Sequence, residues 1–127
     1  MPKFGRRSKE RLATCHPLLQ EIMNELIKVM DVTILCGVRG EEEQNKAFNE
    51  GKSKLKYPQS KHNRSPSWAV DVAPYPIDWN NIDRFKQMCY YIEAIASVKG
   101  INIRLGRDFS FKDYPHLEIM NDRKGGN

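Results

Sequence analysis

The sequence predicts an α+β fold, a small, mainly antiparallel sheet with two long helices, on three observations. Apolar residues recur at helical spacing in two stretches: Leu19, Ile22, Met23, Leu26, Ile27, Met30, and Ile82, Phe85, Cys89, Ile92, Ala96. Short β-rich runs stand at residues 32–38, 68–73, 101–105 and 116–120. Helical and extended stretches interleave irregularly, which points away from a regular parallel α/β sheet.

The first helix is expected from about Thr14, which can cap it, with Pro17 in its first turn. Gly40 ends the first strand, and residues 41–49 read as a short helix with acidic residues in the first turn, closed by Gly51. Residues 52–67 hold Ser, Pro, Asn and Lys without periodicity and read as a long loop, a length usually functional or disordered. Pro74 and Pro76 stop the second strand, Asn80 or Asn81 caps the second long helix, and Gly100 ends it. Residues 106–115 form another loop.

At 127 residues the chain is expected to be one domain, 1–127, with about 1–10 and 121–127 loosely ordered. No apolar run approaches the ~20 residues of a membrane span, and no hydrophobic core follows the basic N-terminus as in a secretory signal. The 21 basic and 16 acidic residues give a net charge of +5, which favours polyanionic surroundings such as nucleic acid, anionic lipid or a phosphate-rich cell wall. Cys15, Cys36 and Cys89 form neither a disulfide framework nor a CxxC metal site. Cys36 and Cys89 have apolar neighbours and read as buried free thiols.

The chemistry starts at Asp71, a carboxylate within the apolar run Trp-Ala-Val-Asp-Val-Ala. Burying it demands a positive or hydrogen-bonding partner. Alternation puts Asp71 on one face with Ala69 and Ala73, and Val70 and Val72 on the other. In the last strand His116 and Glu118 share a face opposite Leu117 and Ile119. Two such strands and His62 could gather His62, Asp71 and His116, the two-imidazole, one-carboxylate set of a catalytic zinc site with an open position. Each residue alone also fits a plainer role, as a surface histidine or a hydrogen-bonded buried acid. His16, beside Pro17, reads as structural.

Ser60-Lys61-His62, Ala69-Val70-Asp71 and Asp113-Tyr114-Pro115-His116 resemble the Ser-x-His, Ala-x-Asp and acid-x-x-His motifs of the zinc LD/DD-peptidases. Arg39 with Gln44 resembles the upstream Arg-x4-Gln of that family. Phe4-Gly5, Leu12-Ala13-Thr14 and Pro17-Leu18-Leu19 resemble the openings of phage endolysins of the L-alanyl-D-glutamate endopeptidase type. The resemblance spans nearly the whole chain, in order. It implies a hedgehog/DD-peptidase-like fold and one Zn2+ held by His62, Asp71 and His116. It also implies Asp113 as general base, Arg39 at a substrate carboxylate and aiding the oxyanion, Ser60 bound to substrate, and Gln44 as substrate-binding or supporting. Relatives use Asp or Glu as base, so Glu118, on the face of His116, is the alternative. The implied activity is hydrolysis of the L-alanyl-D-glutamate bond of bacterial peptidoglycan by a monomer, ending in cell lysis. Such an enzyme would wait in the host cytoplasm until a separate membrane-permeabilising protein releases it to the wall.

One departure stands out. Many relatives have six residues between the first His and the Asp; here eight intervene, from Asn63 to Val70, with Pro66 among them. The expectation is a differently shaped substrate cleft. The competing functions are a zinc D-alanyl-D-alanine carboxypeptidase or dipeptidase using the same site, a zinc-binding but inactive relative, and a basic nucleic-acid-binding domain using residues 52–64 and the C-terminal Arg and Lys as phosphate contacts. For the last, no recognition-helix or aromatic-platform motif is present, so no nucleic-acid partner is expected.

Overall fold

Val70, Val72, Leu117 and Ile119 decide which way the sheet faces. All four are fully buried in one core with Leu19, Ile22, Met23 and Leu26 of the first long helix and Met88, Cys89 and Ile92 of the second. The computed structural model describes residues 2–125. Its elements are α1 (Arg6–Leu12), α2 (Pro17–Val29), β1 (Val32–Cys36), α3 (Glu41–Asn49), a 3-10 turn (Lys61–Asn63), β2 (Ala69–Pro74), α4 (Ile82–Lys99), β3 (Ile103–Leu105), a second 3-10 turn (Gly106–Asp108) and β4 (His116–Ile119). The strands form one antiparallel sheet in the order β1-β2-β4-β3. The expected α+β class is therefore observed. Helices α2 and α4 pack on each other and over one sheet face. The other face carries Asp71, His116 and Glu118.

Register builds that second face. Asp71 of β2 lies directly across from His116 of β4, and Ala69 across from Glu118. On the other side of β2, Ile34 opposes Val72, but a bulge between Ile34 and Cys36 leaves Cys36, not Leu35, opposite Asp71. The site-facing row across three strands is thus Cys36, Asp71, His116.

Several boundaries differ from expectation. His16, not Thr14, caps α2: its Nδ1 accepts the Leu18 N–H at 3.1 Å. The Thr14 hydroxyl instead donates to Arg11 O and accepts the Val38 N–H. Strand β1 stops at Cys36, and Gly37 beyond it is pressed against Thr14 and the Arg11 carbonyl with no room for a Cβ. Asn81 caps α4 through the Arg84 N–H, and Gly100 ends it at φ 70°, a left-handed conformation that suits glycine.

The stretch 1–10, expected to be loosely held, carries most of α1 (Met1 lies outside the described residues). This helix closes the free edge of β1. Ser8 Oγ accepts the Ile34 N–H at 3.0 Å and Arg11 donates to Ile34 O at 3.0 Å, so the edge strand has no open ladder there. The tail, expected to be loose, is also anchored as far as it is described. Lys124 pairs with Glu21 at 2.9 Å, and the Gly125 N–H donates to Gly100 O at 2.6 Å. Residues 126 and 127 lie outside the described residues.

Candidate active site

The predicted metal ligands meet at one oxygen. His62 Nε2 lies 3.2 Å and His116 Nδ1 3.3 Å from Asp71 Oδ1. The opposite nitrogens are tied to fixed acceptors. His62 Nδ1 sits 2.8 Å from the Gly37 carbonyl, which can only accept, and His116 Nε2 sits 2.8 Å from Glu118 Oε1. Each outer nitrogen therefore carries the proton, and each inner nitrogen turns its lone pair toward the Asp71 carboxylate. Two lone pairs facing an anion in a buried site call for either a metal ion or an added proton between them. Among the described residues, the ligand atoms form two groups sharing Asp71, Cys36–His62–Asp71 and Asp71–Asp113–His116, each with all atoms within 4.8 Å of one another. The donor set therefore fits a divalent metal with outer-shell partners in place.

The electrostatics carry the same message. Burial opposes protonation of His62, but the Asp71 charge and hydrogen bond, with Cys36, outweigh it and push its pKa up to about 10. Burial would raise the Asp71 pKa, but His62 and His116 bring it well below the usual carboxylate range. Without a metal, the centre captures a proton in its place. Asp113 behaves oppositely: burial first, and then the Asp71 charge, raise its pKa above the ordinary carboxylate value despite His116, His62 and Arg39.

Asp113 comes from the loop before β4. Its N–H donates to Gly106 O at 2.9 Å, and its own carbonyl accepts the His116 N–H at 3.1 Å. Gly106 lies so close under the Asp113 carbonyl that a Cβ there would collide with it and would stand 2.8 Å from the His116 Cβ. A glycine at 106 thus permits the tight approach that sets Asp113 beside His116.

Glu118, the alternative base, is engaged elsewhere. It is 9% exposed, and its oxygens lie 2.8 Å from His116 Nε2 and 3.0 Å from Lys61 Nζ. It stands on the far side of the imidazole from Asp71, orienting His116.

His62 arrives by a different route. Ser60 Oγ accepts the His62 N–H, and Asn63 reaches back to the Ser60 N–H, a reciprocal cap on the 3-10 turn. The Arg39 N–H holds the His62 carbonyl at 2.7 Å. The Arg39 guanidinium spans Gln44 Oε1 at 3.0 Å and Asp71 Oδ2 at 3.3 Å. Gln44 is fully buried; its Oε1 accepts from Arg39 and Asn63, and its Nε2 donates to Ser53 Oγ and Leu55 O. This corrects the substrate-binding expectation for Gln44, which has no exposed surface and no hydrogen-bonding position left for a ligand. Its role is support.

A cleft of about 720 Å³ opens over Arg39, Ser60, His62, Asp71, Asp113 and His116. Residues 63–70 do not line it. The two extra residues are spent outward, in exposed Arg64, Ser65 and Pro66, and the loop is closed at its base by the Trp68 N–H on Lys61 O at 3.1 Å. In the basic stretch 52–64, Lys61 pairs with Glu118 and Lys52 with Glu50, while Lys54, Lys56 and Arg64 lie over the rings of Phe111, Phe48 and Trp68 with their charges retained.

The thiol beside the site was not anticipated. Strict alternation from Val32 and Ile34 would bury Cys36 in the core; the bulge turns it to the Asp71 face, and Cys36 is half-buried rather than buried. Asn63 was missed as well, although its position directly after His62 suits a cap.

Comparison with known proteins agrees with this picture. Residues 1–124 match the family model of the phage L-alanyl-D-glutamate peptidases. The chain is 34% identical over 122 residues to the L-alanyl-D-glutamate peptidase of Escherichia phage T5, covering 92% of this chain and 88% of that protein. In fold it is similar to the Serratia marcescens L-Ala D-Glu endopeptidase ChiX, with a TM-score of 0.80 at 24% identity over 93% of this chain and 90% of that one. Motifs, register and whole-length similarity converge, and the chain belongs to the phage L-alanyl-D-glutamate peptidase family.

Proposed function

We propose that this chain is a zinc-dependent peptidoglycan endopeptidase of the endolysin type, cutting the L-alanyl-D-glutamate bond of stem peptides. One observation carries the metal: both buried histidines give their outer N–H to fixed acceptors and aim lone pairs at one carboxylate oxygen. The similarity to the T5 relative supports the bond.

His62, Asp71 and His116 would hold the ion. When bound, zinc supplies Lewis-acid polarisation of the scissile carbonyl and brings the pKa of water down to about 7. Asp113 takes the proton of the attacking water and passes it to the departing amine; its raised pKa strengthens it as a base. The commitment of Glu118 to His116 and Lys61 favours Asp113 in that role. Arg39 orients Asp71, and from the cleft wall its remaining N–H groups suit a substrate carboxylate and the developing oxyanion. Ser60 lines the same cleft, and its hydroxyl proton can meet the substrate while its oxygen caps the turn.

In this reading the enzyme acts as a monomer from the host cytoplasm, released to the wall by a separate membrane-permeabilising protein. Its +5 charge favours an anionic wall. No described helix is long and apolar enough to cross a membrane.

The test is digestion of purified cell walls with and without a chelator, followed by mass analysis of the fragments. New N-terminal D-glutamate residues are expected, lost with chelator and restored by zinc. Asp113→Asn should cut turnover by at least about 100-fold, as for a general base, while Glu118→Gln retains far more. Chelator-resistant cleavage, or release of D-alanine alone, would overturn the proposal; the latter would favour the carboxypeptidase.

A further inference from the structure

We propose that Cys36 gives this centre a second coordination mode, in which the Cys36 thiolate, His62 and Asp71 hold a soft divalent cation. The proposal rests on the metal-centre reading above. Two features, one of the backbone and one of the side chains, point to it. The β1 bulge places Cys36 directly across from Asp71, as register places His116 on the other side, so the three residues form one row on the same sheet face. The ligand atoms of Cys36, His62 and Asp71 also lie within 4.8 Å of one another. Ligand atoms around one ion at zinc–sulfur and zinc–nitrogen bond lengths stand roughly 3.3–3.8 Å apart. Closing the set therefore takes about 1 Å of side-chain movement in a half-buried thiol, with no change of backbone path.

Little holds the thiol away. Its hydrogen-bond contact is a 3.6 Å approach to the Gly37 carbonyl, the same oxygen that takes the His62 Nδ1 proton. On binding, the S–H proton leaves to solvent as the sulfur–metal bond forms, with no change of oxidation state. A thiolate in place of the second imidazole shifts preference toward softer ions such as Cd2+. His62 and Asp71 serve both modes, so one cation excludes the other, and a soft ion seated on Cys36 takes two ligands from the catalytic set. The other thiols offer no such site. Burial pushes Cys15 up to about 12 and Cys89 up to about 11, and neither belongs to a metal-competent group among the described residues.

The test uses the full chain stripped of metal and titrated with Cd2+, reading stoichiometry by calorimetry and the thiolate-to-cadmium charge-transfer band by ultraviolet absorption. One ion per chain is expected, with the band present. Cys36→Ser and Cys36→Ala should each lose the band and bind Cd2+ at least about tenfold more weakly. Two variants checked by circular dichroism guard against misfolding of either. A saturated 1:1 complex without the band, or a band that persists in both variants, overturns the Cys36 mode and leaves the metal centre standing. Absence of saturable binding in the unaltered chain overturns both.

Discussion

The two sides of the proposed metal centre are built by different means. On the strand side, Asp71 and His116 face each other because β2 and β4 pair in antiparallel register, and the pleat aims both residues away from the core. On the loop side, His62 is delivered by a three-residue turn outside the strand ladder. Its position comes from a polar lattice of Arg39, Gln44, Asn63 and Ser60. The strand side spends backbone pairing that the sheet needs in any case. The loop side spends buried polar groups, each costly if left unpaired. Damage should therefore look different on the two sides: loss of function with an intact fold on one, loss of both on the other.

The sharpest break is Asp71→Ala. Its carboxylate meets both histidines and Arg39, so metal content and cell-wall hydrolysis should fall by more than about 100-fold while the far-ultraviolet spectrum stays unchanged. On the loop side, Gln44→Ala strips partners from Arg39, Asn63, Ser53 and the Leu55 carbonyl. It should cost about 3 kcal/mol in urea unfolding and about 10- to 100-fold in metal affinity. A variant that loses activity at full stability would place Gln44 in contact with substrate after all.

Proton linkage sharpens the contrast in the metal-free protein. The folded pKa of His62, about 10, lies above its ordinary 6.5. The stabilisation from its proton is thus complete below about 6.5 and lost as pH rises toward about 10. Asp71, shifted down, contributes the complementary limb, present above the usual carboxylate range and lost on acidification. With chelator present, the melting temperature should fall by more than about 5 °C across the alkaline interval. Saturating zinc should flatten that slope by standing in for the proton. The smallest effect is expected from Ser60→Ala, about 1 kcal/mol for a lost cap, with turnover changed a few-fold at most. A larger fall in kcat/KM at unchanged stability would assign the hydroxyl to substrate.

The strand side was the more legible in the sequence. Alternation alone placed Asp71 with the alanines and His116 with Glu118, since a two-residue period leaves few ways to err. Its apolar neighbours misplaced Cys36 as a buried thiol, because a bulge adds one residue and inverts the phase, and nothing in Val-Thr-Ile-Leu-Cys signals it. A supporting role for Gln44 was within reach through the resemblance, but its partners were not. Its partners come from residues 39, 53, 55 and 63, which only the fold assembles. Helix α1 was missed because its stripe is short; its anchor is hydrogen bonding of Ser8 and Arg11 to a strand edge, and this leaves no hydrophobic period.

The outward loop between His62 and Asp71 can be read as slack held outside a clamp. The Lys61–Trp68 backbone hydrogen bond closes the clamp, and Arg64, Ser65 and Pro66 hang beyond it. Lengthening a closed loop costs only the logarithm of its length, about 0.6 kcal/mol per doubling. Because His62 lies inside that clamp, two residues before Arg64, a segment spliced at Ser65 would load the ligand's own turn, and only the Ser60–Asn63 cap and the Arg39–His62 hydrogen bond would keep its length from reaching the imidazole.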